Sequence, residues 1–148
     1  MEEVVFDGLR PIVRGESADL EQAGAIVFRG DGESRRILVV TNKEGDRWLM
    51  PKGSIKKKEN AEDAAIRETL EETGIEGHVV AYAGAVVIEE DGKVVRVDYF
   101  LLKADSTGKQ KDDREIRWCA PAETLELVTQ SPLHEFLEKA LPEIMKFE

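Results

Sequence analysis

The chain has 148 residues, 41% of them hydrophobic and 35% charged, with a net charge of −10. That length suits one domain over residues 1–148 with a core of its own. The acidic balance argues against broad binding to nucleic acid or anionic membrane, while leaving room for a local basic pocket.

A single cysteine, Cys119, excludes a disulfide within the chain. Behind Trp118 at a strand end it reads as a small core residue rather than a nucleophile, because free cysteines are commonly buried. No apolar run approaches the roughly 20 residues of a membrane span. MEEVVFDGLR has neither the basic nor the apolar part of a leader, so the cytoplasm is the expected setting.

Residues 1–20 read as a polar extension, with VVF (4–6) as a short strand. AGAIVFR (23–29) and RILVVTN (36–42) read as buried strands joined by the DGES turn, a hairpin. GDRWLMPKG (45–53) is a short strand broken by Pro51. A helix is expected over residues 60–73, stopped by Gly74. HVVAYAGAVVIEE (78–90) and KVVRVDYFLLKA (93–104) are long strands linked by Asp91-Gly92, a strong hairpin signal. GKQKDDRE (108–115) is a charged loop and EIRWCA (115–120) a short strand. Pro121 opens a helix. Residues 131–147 form an amphipathic helix with Ser131 as its cap, Pro132 in its first turn, and Pro142 as a kink or an end. Strands, helix, strands, helices in that order imply a mixed sheet covered by helices.

The middle helix is unusual. At about 100° per residue, Glu68, Glu71 and Glu72 share one face, and Ile66, Leu70 and Thr73 form another, the core face. Like charges at this spacing repel, and the C-terminal end of a helix disfavours negative charge. Arg67 is placed to pair with Glu71, but no cation follows at i+4 to relieve Glu68 or Glu72. A solvated helix face alternates its signs, and this one does not. Gathered carboxylates suit a hard divalent cation bound together with substrate phosphates. Pro51-Lys52-Gly53 makes a sharp loop in which glycine permits close approach, and a carbonyl there would be a further ligand. Ala61, Ala64 and Ala65 lie on the carboxylate side, where small residues would let the loop pack on the helix.

Gly53, Glu59 and Arg67-Glu68-Thr69-Leu70-Glu71-Glu72-Thr73-Gly74-Ile75, within residues 53–75, together resemble the Nudix box. Thr69 departs from the family's usual aliphatic residue, and Lys57-Lys58 stands where a Pro-Gly-like turn is usual. The flanking strand order is also similar to the family's α/β/α sandwich. The resemblance implies metal-dependent hydrolysis of a diphosphate linkage. It implies Mg²⁺ or Mn²⁺ on Glu68, Glu71, Glu72 and the Lys52 carbonyl, with Arg67 orienting a carboxylate and Glu59 tying loop to helix. Glu68, Glu72 or an acid outside the box would be the general base, with Glu115 the outside candidate.

RWLMPKG before the box, with the Ala23–Arg29 strand, is similar to two groups in that family. These are the asymmetric diadenosine polyphosphate hydrolases and the bacterial relatives of diphosphoinositol polyphosphate phosphohydrolases. Both imply a small substrate rich in phosphate and a protein that is a monomer or homodimer. Lys52, Gly53, Arg47, Trp48 and Tyr99 are the residues expected to bind it. Lys43 and Lys56–Lys58 could add charge, although the lysine run reads more simply as a solubilising surface. Tyr82 could stack on a base or lie in the core. Alternation in KVVRVDYFL puts Arg96 and Asp98 opposite Val95, Val97 and Tyr99. A third reading, a non-catalytic nucleotide sensor, sits poorly with a full set of glutamates.

Overall fold

The structure is a computed structural model that describes residues 18–147; the expected VVF strand lies outside them. Chain order is β1 (Leu20–Arg29), β2 (Arg36–Thr41), β3 (Trp48–Leu49), β4 (Lys52–Ser54), α1 (Ala61–Thr73), β5 (Ile75–Glu90), β6 (Lys93–Thr107), β7 (Ile116–Cys119), α2 (Pro121–Leu127) and α3 (Leu133–Lys146). One seven-stranded sheet runs β3-β2-β1-β6-β5, with β4 added on β1 and β7 on β2. Only β1 and β6 are parallel. The expected mixed sheet with helices on both sides is what these residues build.

The elements begin and end for local reasons. Asn60 caps α1 by accepting from the Asp63 amide at 2.8 Å. Gly74 ends it at φ 76, its amide bonded to the Leu70 carbonyl. Asp91 and Gly92, both at positive φ, make the tight turn between β5 and β6. α3 departs from expectation at its start: Pro132 takes the cap position, and the Ser131 hydroxyl donates to the Glu135 carboxylate at 2.7 Å. The free amides lie beyond Pro132, so a side-chain partner wins over a backbone one. The helix continues through Pro142 to Lys146. Arg35, buried, ties down the end of α3 by donating to the carbonyls of Ile144 and Phe147.

The sheet separates two cores. Ile26, Phe28, Ile37, Val39, Tyr99 and Leu101 pack on Phe136, Leu137, Leu141 and Ile144 of α3. Cys119 belongs to this core, and burial pushes its thiol up to about 11, so it is no nucleophile. On the other side Ala23, Ala25, Val27, Phe100 and Leu102 receive α1.

The face that α1 buries differs from the one its hydrophobicity suggested. Ala64, Ala65, Thr69 and Thr73 are buried, and Ile66 and Leu70 flank them half-exposed. The sheet opposite carries Ala23 and Ala25, so small residues bring helix and sheet close. Ala64 and Ala65 therefore seat the helix on the sheet. Thr69 sits at the centre of the contact, and its buried hydroxyl has no partner.

β1 and β2 share a short ladder at Phe28–Arg29 and Arg36–Ile37. Beyond it, β4 takes the edge of β1 and β3 the edge of β2. The site forms along this split.

Candidate active site

The glycine before the helix is required by space. A Cβ on Gly53 would overlap the carboxylate of Glu68. Glu72, 4% exposed, lies beside it. The Glu72 carboxyl lies close to the Lys52 amide and to the Glu68 carboxylate. The N–H and C=O of one strand residue point to the same edge, so the Lys52 carbonyl faces these carboxylates as well. Burial, with the adjacent Glu68 charge, pushes the Glu72 carboxyl up to about 8 despite the opposing Arg114 guanidinium.

Arg67 organises the approach. It donates to both oxygens of Glu59 at 2.9 Å, to Glu68 at 3.0 Å, to Glu71 at 3.5 Å and to the Ser54 carbonyl at 2.9 Å. Glu59 also accepts from the Lys56 amide. The Arg67 bonds, then the Lys56 amide, hold the Glu59 carboxyl down to about 2. Glu59 thus bonds to both the loop, at Lys56, and the helix, at Arg67. The lysine run makes its turn with Lys58 at φ 68, where a glycine would sit without strain. Lys56, Lys57 and Lys58 are exposed.

The relief of Glu72 comes from a loop, not from the helix. Arg114 lies 3.6 Å from Glu72, 3.2 Å from Asp112, and within hydrogen-bonding distance of the Thr41 carbonyl. Lys111 and Asp112 donate their amides to the Glu71 carbonyl, and the Gln110 side chain donates to the Glu72 carbonyl. Residues 108–115 therefore close the open end of α1. Nothing in sequence spacing marks this contact, which spans some forty residues; the only hint was an acidic helix end with no local cation.

Among the described residues, no three His, Cys, Asp or Glu side chains are gathered for a metal ion. Glu68 and Glu72 touch, while Glu71 is drawn to Arg67. The residues nonetheless fit a hard divalent cation. A buried carboxylate, Glu72, and a part-buried one, Glu68, lie side by side, a backbone carbonyl faces them, and every donor is oxygen.

The remaining candidates divide. Lys52 extends its ammonium to the opposite face of the sheet, 2.7 Å from Gln22 and 3.2 Å from Glu90. There it lines a cleft of about 150 Å³ with Arg47, Tyr99, Leu49, Met50, Val86, Ile88 and Leu133. Burial foremost, with the charges of Glu72 and Glu90, raises the Tyr99 hydroxyl above its ordinary range. Trp48 is outside this cleft, under the Arg117 guanidinium at 5.1 Å. Tyr82 packs edge-on against Phe100 and bonds to Asp98, which also holds Arg96. Arg96 and Asp98 thus serve the α1 face and not the cleft. Glu115 is exposed, and alternation along its strand groups it with Arg117 and Cys119, away from α1. Lys43 lines a separate open hollow beside Arg114.

Residues 20–143 match the NUDIX domain family. The chain belongs to that family. This Nudix protein is a hydrolase acting on phosphorus-containing acid anhydrides. Family members generally use divalent metals such as Mg²⁺ on small phosphate-linked substrates. It is 28% identical over 126 residues to diphosphoinositol polyphosphate phosphohydrolase 3-alpha of Mus musculus, covering 80% of this chain and 76% of the mouse protein. Its fold is similar to that of a C. elegans Ap4A hydrolase, with a TM-score of 0.69 at 22% identity over 86% of this chain and 99% of that one. A MutT protein from Methanosarcina mazei Go1 also has a TM-score of 0.69, at 22% identity, covering 84% of this chain and 94% of that one. No helix among the described residues is long and apolar enough to cross a membrane.

Proposed function

We propose that this Nudix hydrolase is a Mg²⁺- or Mn²⁺-dependent pyrophosphohydrolase of dinucleoside polyphosphates or related nucleoside diphosphate-linked molecules. The observation that carries the reading is the double role of β4. Its Lys52 peptide meets Glu68 and the buried Glu72 on one side of the sheet, and its Lys52 ammonium enters an apolar-floored cleft on the other. Glu68, Glu72 and Glu71, with the Lys52 carbonyl, would hold the metal. When bound, it supplies neutralising charge for the phosphates and an acidified water.

The chain's own groups do the rest. With the metal holding the pair ionised, Glu72 or Glu68 would take a proton from the attacking water. Arg67, braced by Glu59, keeps Glu68 turned toward Gly53. Lys52 meets the phosphate chain as a point charge, and Tyr99 with its apolar neighbours accepts the organic part. Glu115 has no part in this arrangement. The working form is a cytoplasmic monomer or homodimer that binds neither nucleic acid nor membrane.

A second reading, hydrolysis of a diphosphoinositol polyphosphate, is favoured by the function named for the mouse relative. Against it, Arg47 and Lys52 in the cleft are matched by Glu89 and Glu90, and a ring bearing many phosphates needs surplus positive charge. A sensor without catalysis sits poorly with a complete carboxylate set. The test is phosphate release from a panel of diphosphates with Mg²⁺ and with chelator. Metal-dependent cleavage of diadenosine tetraphosphate is expected. Cleavage of a diphosphoinositol compound alone would move the assignment to the second reading, and no metal-dependent turnover would sink both.

A further inference from the structure

Lys52 is the one cleft cation tied to a half-buried position: its side chain is 16% exposed, against 51% for Arg47. Its ammonium has three donors. Gln22, from the middle layer of the sheet, accepts one at 2.7 Å. The carboxylate that balances its charge, Glu90, is 3.2 Å away and 46% exposed.

Glu90 stands on a weakly held part of the molecule. β1 begins at Leu20 opposite Val95, and Asp19 adds a last contact to Val94. Among the described residues, the Glu90–Lys93 rung and the Asp91-Gly92 turn project beyond that support as a two-stranded tip. Two strands without a third are marginal in water. Nothing else among the described residues bonds to the Glu90 carboxylate, so the tip can swing away at the cost of one half-exposed ion pair.

We propose that Glu90 is an internal stand-in for substrate phosphate. It neutralises Lys52 at the mouth of the cleft and is displaced by the phosphate chain, which sets a threshold that weakly charged anions fail to cross. The inference rests on the function proposed above, since it takes the cleft to be where that substrate enters. A phosphate chain brings several charges to Lys52 where Glu90 brings one, so it outcompetes the carboxylate, and a single carboxylate ligand does not.

The test uses the whole protein and two probes. Inorganic tripolyphosphate binding is measured by calorimetry in chelator, and KM for diadenosine tetraphosphate is measured with Mg²⁺. Glu90→Gln should tighten both by about two- to fivefold, the scale of a half-exposed ion pair. The gain should shrink at high salt and vanish when Lys52→Met is added, because the two changes act on one interaction. Glu126→Gln, which removes an exposed charge on α2, should do neither. An unchanged affinity in Glu90→Gln overturns the inference, as does an equal gain from Glu126→Gln, a gain that survives Lys52→Met, or no tripolyphosphate binding by the wild type. If tripolyphosphate behaves as stated and no diphosphate is turned over, the proposed function fails and the stand-in does not. Thermal midpoints close to wild type would show that the tip's role is in binding and not in holding the fold.

Discussion

The two faces of the sheet are built from different material. Toward α3 the contacts are large: Phe28, Ile37, Tyr99, Phe136, Leu137 and Ile144. Toward α1 small residues stand among the large: Ala23, Ala25, Ala64 and Ala65, with Thr69 between, beside Val27, Phe100 and Leu102. Large side chains remove much apolar surface from water and carry stability. Small ones contribute less, but they fix the distance between helix and sheet closely. That distance brings Glu68 onto Gly53 and Glu72 onto the Lys52 amide. One face holds the molecule together, and the other aligns its chemistry.

Removing bulk from the α3 face should therefore cost stability and spare catalysis. Leu137→Ala, at a site with no exposure, should lower unfolding free energy by about 2–5 kcal/mol. Urea denaturation checks this, and kcat per folded molecule should hold. Equal damage to both would show that the faces are not separable. On the α1 face the reverse is expected: Glu72→Gln and Glu68→Gln should each lower kcat by at least about 10²-fold. Near-normal rates with Mg²⁺ would remove these residues from the site. Gly53→Ala forces the Glu68 carboxylate aside. Its kcat should fall by about tenfold or more, the usual result of a small misplacement, and a wild-type rate would break the link between close packing and alignment.

The smallest effect is a pH slope in chelator. Glu72 titrates at about 8 in the fold against 4.5 for the free side chain. Between these values the folded state holds a proton that the unfolded state has lost, so this contribution to stability is complete below 4.5 and fades as pH rises to 8. Glu59 acts in the opposite sense: its carboxyl, held at about 2, favours the fold above 4.5 and loses that effect as pH falls toward 2. Melting curves across both ranges should show a maximum between the two, and Glu72→Gln should flatten the upper limb. Mg²⁺ competes for the Glu72 proton, so its stabilising effect should grow with pH.

What was legible in the sequence was whatever depends on near neighbours. Gly74 ends α1 and Asp91-Gly92 turns the long hairpin, whereas the roles of Glu59 and Arg67 were implied by the family resemblance. What escaped notice depends on the partner's shape. A helical wheel ranks Ile66 above Ala65, but it cannot know that the opposing strand carries alanines. The Arg114 contact is set by how β1 and β2 part, which no local spacing encodes. The sequence singled out Lys52, but that its peptide and its ammonium face opposite sides is visible only once β4 is seen as part of the sheet. Trp48 and Glu115 had suitable chemistry, but the cleft is lined without them.

β5 has a consequence of another kind. It is 16 residues long at the end of the sheet, and a flat open edge of that length would be a ready template for another chain. Its ladder with β6 shifts register three times, at Glu76/Gly77, Val79/Ala81 and Tyr82/Gly84. Each shift twists the strand and interrupts the row of amides and carbonyls that an incoming strand would have to match. The half of β5 that leaves α1 is thereby a poor nucleus for fibre growth, and this long-stranded fold carries its own resistance to aggregation in the backbone, apart from the repulsion its net charge provides.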